Sequence, residues 1–147
     1  MLANMGVLDC SEATVRFFGD DLAPETLSAL LGADPTRAWV KGQELVGEST
    51  GKVRTAKTGN WRIKVGRREP ENLEAQVFEL LDKLTGDLNV WASLARYEPE
   101  LFCGIFMGSG NDGLLLSAKA LLALGQRGIR LNLDIYDFDD EDAGDAR

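Results

Sequence analysis

The side chains best suited to hold another molecule are crowded between Arg37 and Arg68. A guanidinium at Arg37, an ammonium at Lys41, a hydroxyl at Thr58 and the indoles of Trp39 and Trp61 can together grip an anionic or planar group. Around them nine lysines and arginines stand against Glu44 and Glu48, a local charge of +7 in a chain of net charge -8, so the other residues hold -15. Arg37, Trp39, Lys41, Thr58 and Trp61 are therefore the candidate ligand-binding residues, and recognition of an anionic ligand or an acidic protein surface is the chemistry they suit. The same residues have a scaffold reading: the tryptophans as core residues at strand ends, Thr58-Gly59 as a turn, Arg37 as the partner of an acidic helix.

Familiar catalytic arrangements are excluded by composition. The 147 residues include no histidine, the side chain best matched to proton transfer near neutral pH. Ser-His-Asp and Cys-His arrangements, and His-ligated zinc or iron, are impossible within the chain. Carboxylates, lysine, tyrosine and cysteine remain, without a paired spacing that assigns any of them a catalytic role. Asp20-Asp21 suits a helix-capping turn as well as metal or acid-base work, and Cys103, inside LFCGIFM, reads as a small buried hydrophobe. No catalytic residue, metal site or cofactor is expected.

Gly108-Ser109-Gly110-Asn111-Asp112-Gly113 spells GxGxxG after a strand-like run, with Asp134 downstream where a ribose-binding acid would stand. Asp112-Gly113 is equally a hairpin signal, with Leu114 to Leu116 as the returning strand and Ser117 capping the next helix. The last strand alternates in polarity, unlike a dinucleotide-fold strand buried on both faces, and the 34 residues after Gly113 are too few for the rest of such a domain. The expectation is a hairpin turn that binds no nucleotide.

The elements that must position these residues follow from periodicity. Ala13 to Phe18 is rich in β-branched and aromatic residues and reads as a strand ended by Gly19-Asp20-Asp21. Leu22 to Gly32 reads as a helix, with Pro24 and Glu25 in its first turn, Leu27, Leu30 and Leu31 on one face, and Gly32 as its stop. Trp39 to Lys41 is extended, and Gly42 to Asn60, glycine-bearing and aperiodic, reads as a long mobile loop. In Trp61 to Val65 apolar residues alternate with Arg62 and Lys64. Leu73, Val77, Leu80, Leu81 and Leu84 mark a helix, Leu88 to Ala95 a short one, Leu101 to Met107 a strand, Ser117 to Leu124 a helix, and Ile129 to Tyr136 a strand with Leu131, Leu133 and Ile135 inward. The expected fold is a single α+β domain over 13–136, a predominantly antiparallel sheet with helices packed on one face and two halves of split βαβ kind. Residues 1–12 read as an N-terminal extension and 137–147 as an acidic disordered tail.

Four pieces together resemble a known bacterial family: Phe18-Gly19-Asp20-Asp21-Leu22-Ala23-Pro24; Leu30-Leu31-Gly32 with Asp34-Pro35-Thr36-Arg37 and Lys41-Gly42; Thr58-Gly59-Asn60-Trp61; and Leu131-Asn132-Leu133-Asp134-Ile135-Tyr136. In order and spacing the chain is similar to the domain of unknown function 4279 family (DUF4279). The resemblance implies a small α+β domain without an established activity, cofactor or catalytic residue.

The reading that results is a noncatalytic binding domain using the basic, tryptophan-bearing segment 37–68. Two alternatives stand beside it: a toxin-neutralising partner of the immunity type that uses the acidic surface, and an enzyme built on carboxylates or lysine. Nucleic acid is a poorer partner, because the net charge of -8 repels it. No apolar run approaches the roughly 20 residues of a membrane span. Two distant cysteines and a start without leader-like patterning make the cytoplasm the expected compartment.

Overall fold

A strand that carries Ala13, Val15 and Phe17 on one side and Glu12, Thr14 and Arg16 on the other has one face to bury and one to wet. The computed structural model describes residues 6–138. In chain order they form β1 (Gly6–Val7), β2 (Cys10–Gly19), α1 (Pro24–Leu31), β3 (Arg37–Trp39), β4 (Glu44–Val46), β5 (Val53–Thr55), β6 (Gly59–Lys64), α2 (Leu73–Lys83), α3 (Leu88–Ser93), a 3-10 turn (Ala95–Tyr97), β7 (Glu100–Phe106), β8 (Asp112–Gly113), α4 (Ala118–Gln126) and β9 (Arg130–Tyr136). The main sheet has five strands in the order β3-β6-β2-β7-β9. Every neighbouring pair is antiparallel except β7 and β9.

The fold is thus a single α+β domain with a predominantly antiparallel sheet and its helices on one face. Two strand-helix-strand units build it. The unit β7-α4-β9 joins adjacent parallel strands, whereas β2-α1-β3 joins two strands that β6, antiparallel to both, holds apart.

Burial follows the alternation. Ala13, Val15 and Phe17 meet Trp61 and Ile63 of β6 and Leu101, Cys103 and Ile105 of β7 beneath the helices. Phe17 lies edge-on to Trp61, ring centroids 5.7 Å apart, and stacks on Trp91 of α3 at 5.8 Å. Helix α1 stops at Gly32, whose φ of 73° is the left-handed conformation that glycine adopts without strain. Asn72 caps α2 by accepting from the Ala75 amide at 3.2 Å, and Ser117 caps α4 by accepting from the Ala120 amide at 3.0 Å. Gln76 of α2 is wholly buried; its amide nitrogen donates to the Ser11 and Gly66 carbonyls at 3.0 and 3.1 Å, and its oxygen accepts from the Ser11 hydroxyl at 2.6 Å. Such full satisfaction lets a polar group sit in a core.

Several elements depart from what periodicity predicts. Residues 42–60 are not a featureless loop, because β4 and β5 pair as a hairpin. Leu45 turns inward onto Trp39 and Ala56, but strands of three residues are too short to print a period. Leu114 to Leu116 are not a returning strand: the chain passes through α4 and comes back parallel in β9, while Asp112 and Gly113 pair with Gly6 and Val7. The apolar row of β9 lies on the helix side but is not buried, with Leu131 and Leu133 each 40% and Ile135 58% exposed. The cause is position: β9 is the sheet's edge. Cys10 to Glu12 belong to β2. Of the tail expected at 137–147, the part from 139 onward lies outside the described residues.

Candidate anion-binding face

Strand register brings five charged residues into one row across the helix-free face. Arg130 of β9 pairs with Glu100 of β7, Glu100 with Arg16 of β2, Arg16 with Arg62 of β6, and Arg62 with Arg37 of β3. Cross-strand partners project to the same side of a sheet, so one carboxylate serves a row of four cations.

That carboxylate is 4% exposed. Arg16 donates to Glu100 Oε1 through Nε at 3.0 Å and through Nη2, and Arg130 Nε and Asn132 Nδ2 donate to Oε2 at 3.1 and 3.4 Å. Burial works to raise the Glu100 pKa, but the hydrogen bond and charge of Arg16, then Arg130 and Asn132, outweigh it and hold the carboxyl below its ordinary 4.5. Arg16 is also held against aromatic rings, its guanidinium carbon 4.1 Å from the Phe102 centroid and 5.3 Å from that of Phe18.

Beyond Arg16 the row has no acid. Arg62 Nε donates to Asn60 Oδ1 at 2.8 Å, and among the described residues neither Arg62 nor Arg37 joins an ion pair. Both guanidinium carbons lie 5.0 Å from the Trp39 ring centroid. Burial first, then the like charges of Arg16, Arg37 and Arg54, push the Arg62 pKa from 12.5 down to about 10. Like charges facing each other across a ladder each cost ~0.2–1 kcal/mol, a repulsion that an anion placed among them would relieve.

There is room for one. Thr14, Thr36, Arg37, Arg62 and Lys64 of the sheet face Glu48 and Ser49, at the tip between β4 and β5, across a groove of about 710 Å³. The hairpin is held over the sheet by Leu45 and Ala56 packing on Trp39, and its base is closed by hydrogen bonds at 2.8 Å from the Gly42 amide to the Ala56 carbonyl and from the Ala56 amide to that of Gln43. Thr36 closes the rim, its hydroxyl accepting from the Lys64 amide at 3.0 Å and its amide donating to the Arg62 carbonyl at 2.8 Å.

The structure divides the five residues singled out in the sequence. Arg37 lines the groove, and Trp39, buried with Leu45 and Ala56, lies against the Arg37 and Arg62 guanidinium groups. Lys41 and Thr58 meet at Asp20 instead: Lys41 Nζ donates to Asp20 Oδ2 at 3.2 Å, and the Thr58 hydrogen bond followed by Lys41 lowers the Asp20 pKa. Thr58 and Asp20 line a separate hollow of about 470 Å³ beside Phe18 and Arg130. Trp61 is on the opposite face, 0% exposed, its Nε1 donating to Ser28 Oγ at 3.0 Å; it is core and cannot touch a ligand on the arginine row. Arg16, Glu100 and Arg130, which sequence reasoning left aside, complete the row. Their alternation with buried neighbours gave their face, but only the register gave their alignment.

The other motif is already filled. The Asp112 carboxylate accepts from the Gly108 and Ser109 amides at 2.7 and 3.0 Å and from the Ser109 hydroxyl. At the start of α4, Glu74 accepts from the Ser117 amide at 2.9 Å and hydroxyl at 2.6 Å. Carboxylates of the chain thus engage the Gly108, Ser109 and Ser117 amides. Cys103 is buried in the core, and desolvation, then the charge of Glu100, push its thiol up to about 12, which makes it inert.

No helix of the described residues is long and apolar enough to cross a membrane. No curated protein and no solved structure matches the chain. A family model described as domain of unknown function (DUF4279) matches residues 9–138, a span that holds the whole main sheet, the hairpin and the arginine row, and the chain therefore belongs to the DUF4279 family.

Proposed function

We propose that this is a noncatalytic binding domain whose helix-free sheet face takes an anionic ligand, bearing phosphate or carboxylate groups, in the groove beneath the β4–β5 hairpin. The observation that supports it is the unbalanced row: Arg16, Arg62 and Arg37 are consecutive across three strands, and Glu100 neutralises only the first. Guanidinium forks match such oxyanions in a bidentate manner, and the two arginines against Trp39 are already oriented by the ring. A groove of about 710 Å³ has the size of small-molecule sites.

The test is a thermal-shift and calorimetric titration at low ionic strength with phosphate, pyrophosphate, tripolyphosphate and citrate, on the native chain and on Arg62→Gln. Stabilisation that grows with ligand charge, fades with added salt and is lost in Arg62→Gln is the expected result. A native chain indifferent to all four anions, or a variant that responds equally, overturns the proposal. The carboxylate-based enzyme has less support, because Glu100 is held ionised and engaged by four donors from three side chains, as suits an anchor rather than a proton donor.

A further inference from the structure

We infer that β9 is the interface for a second copy of this chain, joined edge to edge about a twofold axis so that two five-stranded sheets become one. The two edges of the sheet differ. The β3 edge is three residues long and follows Pro35, whereas β9 runs seven residues with no proline, and among the described residues no strand pairs with its outer side. Long, apolar, unprotected edges are what soluble proteins avoid unless something pairs with them. This edge also carries the half-exposed Leu131, Leu133 and Ile135, and α4, which leads into it, exposes Leu121 by 52% and Leu122 by 60%.

The backbone fixes which residues can pair. The Arg130 amide donates to the Pro99 carbonyl and the Tyr136 carbonyl accepts from the Met107 amide, both at 3.1 Å, so the even-numbered residues of β9 direct their polar groups to β7. Those of Leu131, Leu133 and Ile135 point outward. An antiparallel partner must therefore set odd residues opposite odd ones as hydrogen-bonded pairs and even opposite even as non-hydrogen-bonded pairs. Any register centred on a residue satisfies this, but centring on Leu131 or Ile135 pairs only three residues of the strand and centring on Asp134 sets that carboxylate against its own copy, which leaves two. Centring on Leu133 sets Asp134 against Asn132 and Arg130 against Tyr136. Centring on Asn132 sets Arg130 against Asp134 of the second copy, twice, and Leu131 against Leu133 on the other face. Opposite charges facing across a ladder favour the pairing, so charge selects the Asn132-centred register and a second copy as the occupant.

Cysteine crosslinking tests both the partner and the register. At the Asn132 centre the two equivalent Cα atoms would stand about 4.5 Å apart, within reach of a disulfide. Both native cysteines are buried, so they do not compete. Asn132→Cys should convert to covalent dimer under mild oxidation, while Asp134→Cys, which faces residue 130, should not. The native chain should sediment as a dimer that dissociates on dilution, and Asp134→Arg, which sets two cations opposite each other, should raise the dissociation constant about tenfold or more while circular dichroism stays unchanged. A native chain that is monomeric at every concentration overturns the inference and leaves the edge to residues 139–147 or to another protein. Crosslinking of Asp134→Cys as readily as Asn132→Cys overturns it as well.

Discussion

Arg16 and Arg62 stand directly opposite each other on β2 and β6, and of the two only Arg16 pairs with Glu100. The second guanidinium adds like-charge repulsion there and, among the described residues, forms no ion pair. The cost makes sense if the face is completed by something that is not part of the chain.

The first consequence concerns stability without ligand. Arg62→Gln keeps a hydrogen-bonding group near Asn60 and removes the charge crowded by Arg16, Arg37 and Arg54. Its unfolding free energy in urea titration should equal or exceed that of the native chain, by up to about 1 kcal/mol, while anion-dependent stabilisation disappears. Clear destabilisation would show that Arg62 is scaffold.

Glu100→Gln should do the opposite. It leaves Arg16 uncompensated beside Arg62 in a largely dry setting, and breaking one side of a buried ion pair costs about 3–5 kcal/mol. Because Arg130 is 56% exposed on its side chain and can rehydrate, the lower end applies. A fall of about 3 kcal/mol in urea unfolding, with the slope unchanged, is the expected result.

The same carboxylate gives a pH dependence of definite sign. Its folded pKa lies below the ordinary 4.5, so its contribution is fully present above that value and is lost as pH falls through the folded pKa. The stability gap between the native chain and Glu100→Gln should therefore be constant near neutrality and narrow below pH 4.5. A gap that is unchanged on acidification would mean that the ion pair contributes no differential stability.

For the GxGxxG segment the outcome turns on donors already in use. NAD and NADP should leave the melting temperature unchanged. Asp112→Ala frees the Gly108 and Ser109 amides and the Ser109 hydroxyl, so hydrogen exchange over 108–113 should quicken in that variant. Unchanged exchange would assign the loop's order to its backbone rather than to Asp112.

Much of the fold was legible because burial imposes period. Val15 and Phe17 or Trp61 and Ile63 repeat every second residue, and Leu73, Val77, Leu80 and Leu81 keep helical spacing. The hairpin was not, since Leu45 is a single inward residue between the exposed Glu44 and Val46. The route from Gly108 to α4 was misread because Asp112-Gly113 has hairpin chemistry, and Asp112 uses its carboxylate to close the loop on itself. The arginine row depends on pairing residues as far apart as 16 and 100, information that no local window contains. Segment 37–68 pointed to the helix-free face through Arg37 and Arg62 but also contributed Trp61, whose indole lies on the other side of the sheet.

The two tryptophans of that segment therefore make the sharpest mutational contrast. Trp61 is fully buried, packs edge-on to Phe17 and bonds Ser28; Trp61→Ala removes the centre of the main core and should cost about 3–5 kcal/mol, seen as a global loss of stability. Trp39 belongs to a separate small cluster with Leu45 and Ala56, so what it holds is the hairpin. In Trp39→Ala the amides of β4 and β5 should lose hydrogen-exchange protection while those of β6 and β2 keep theirs, because the main core is untouched. Anion binding should weaken in the same variant, since Arg37 and Arg62 lose the ring that orients them and the groove loses its far wall. Uniform loss of protection across the sheet in Trp39→Ala would show that the hairpin and the main sheet are one cooperative unit, and the groove could not then be opened without unfolding the domain.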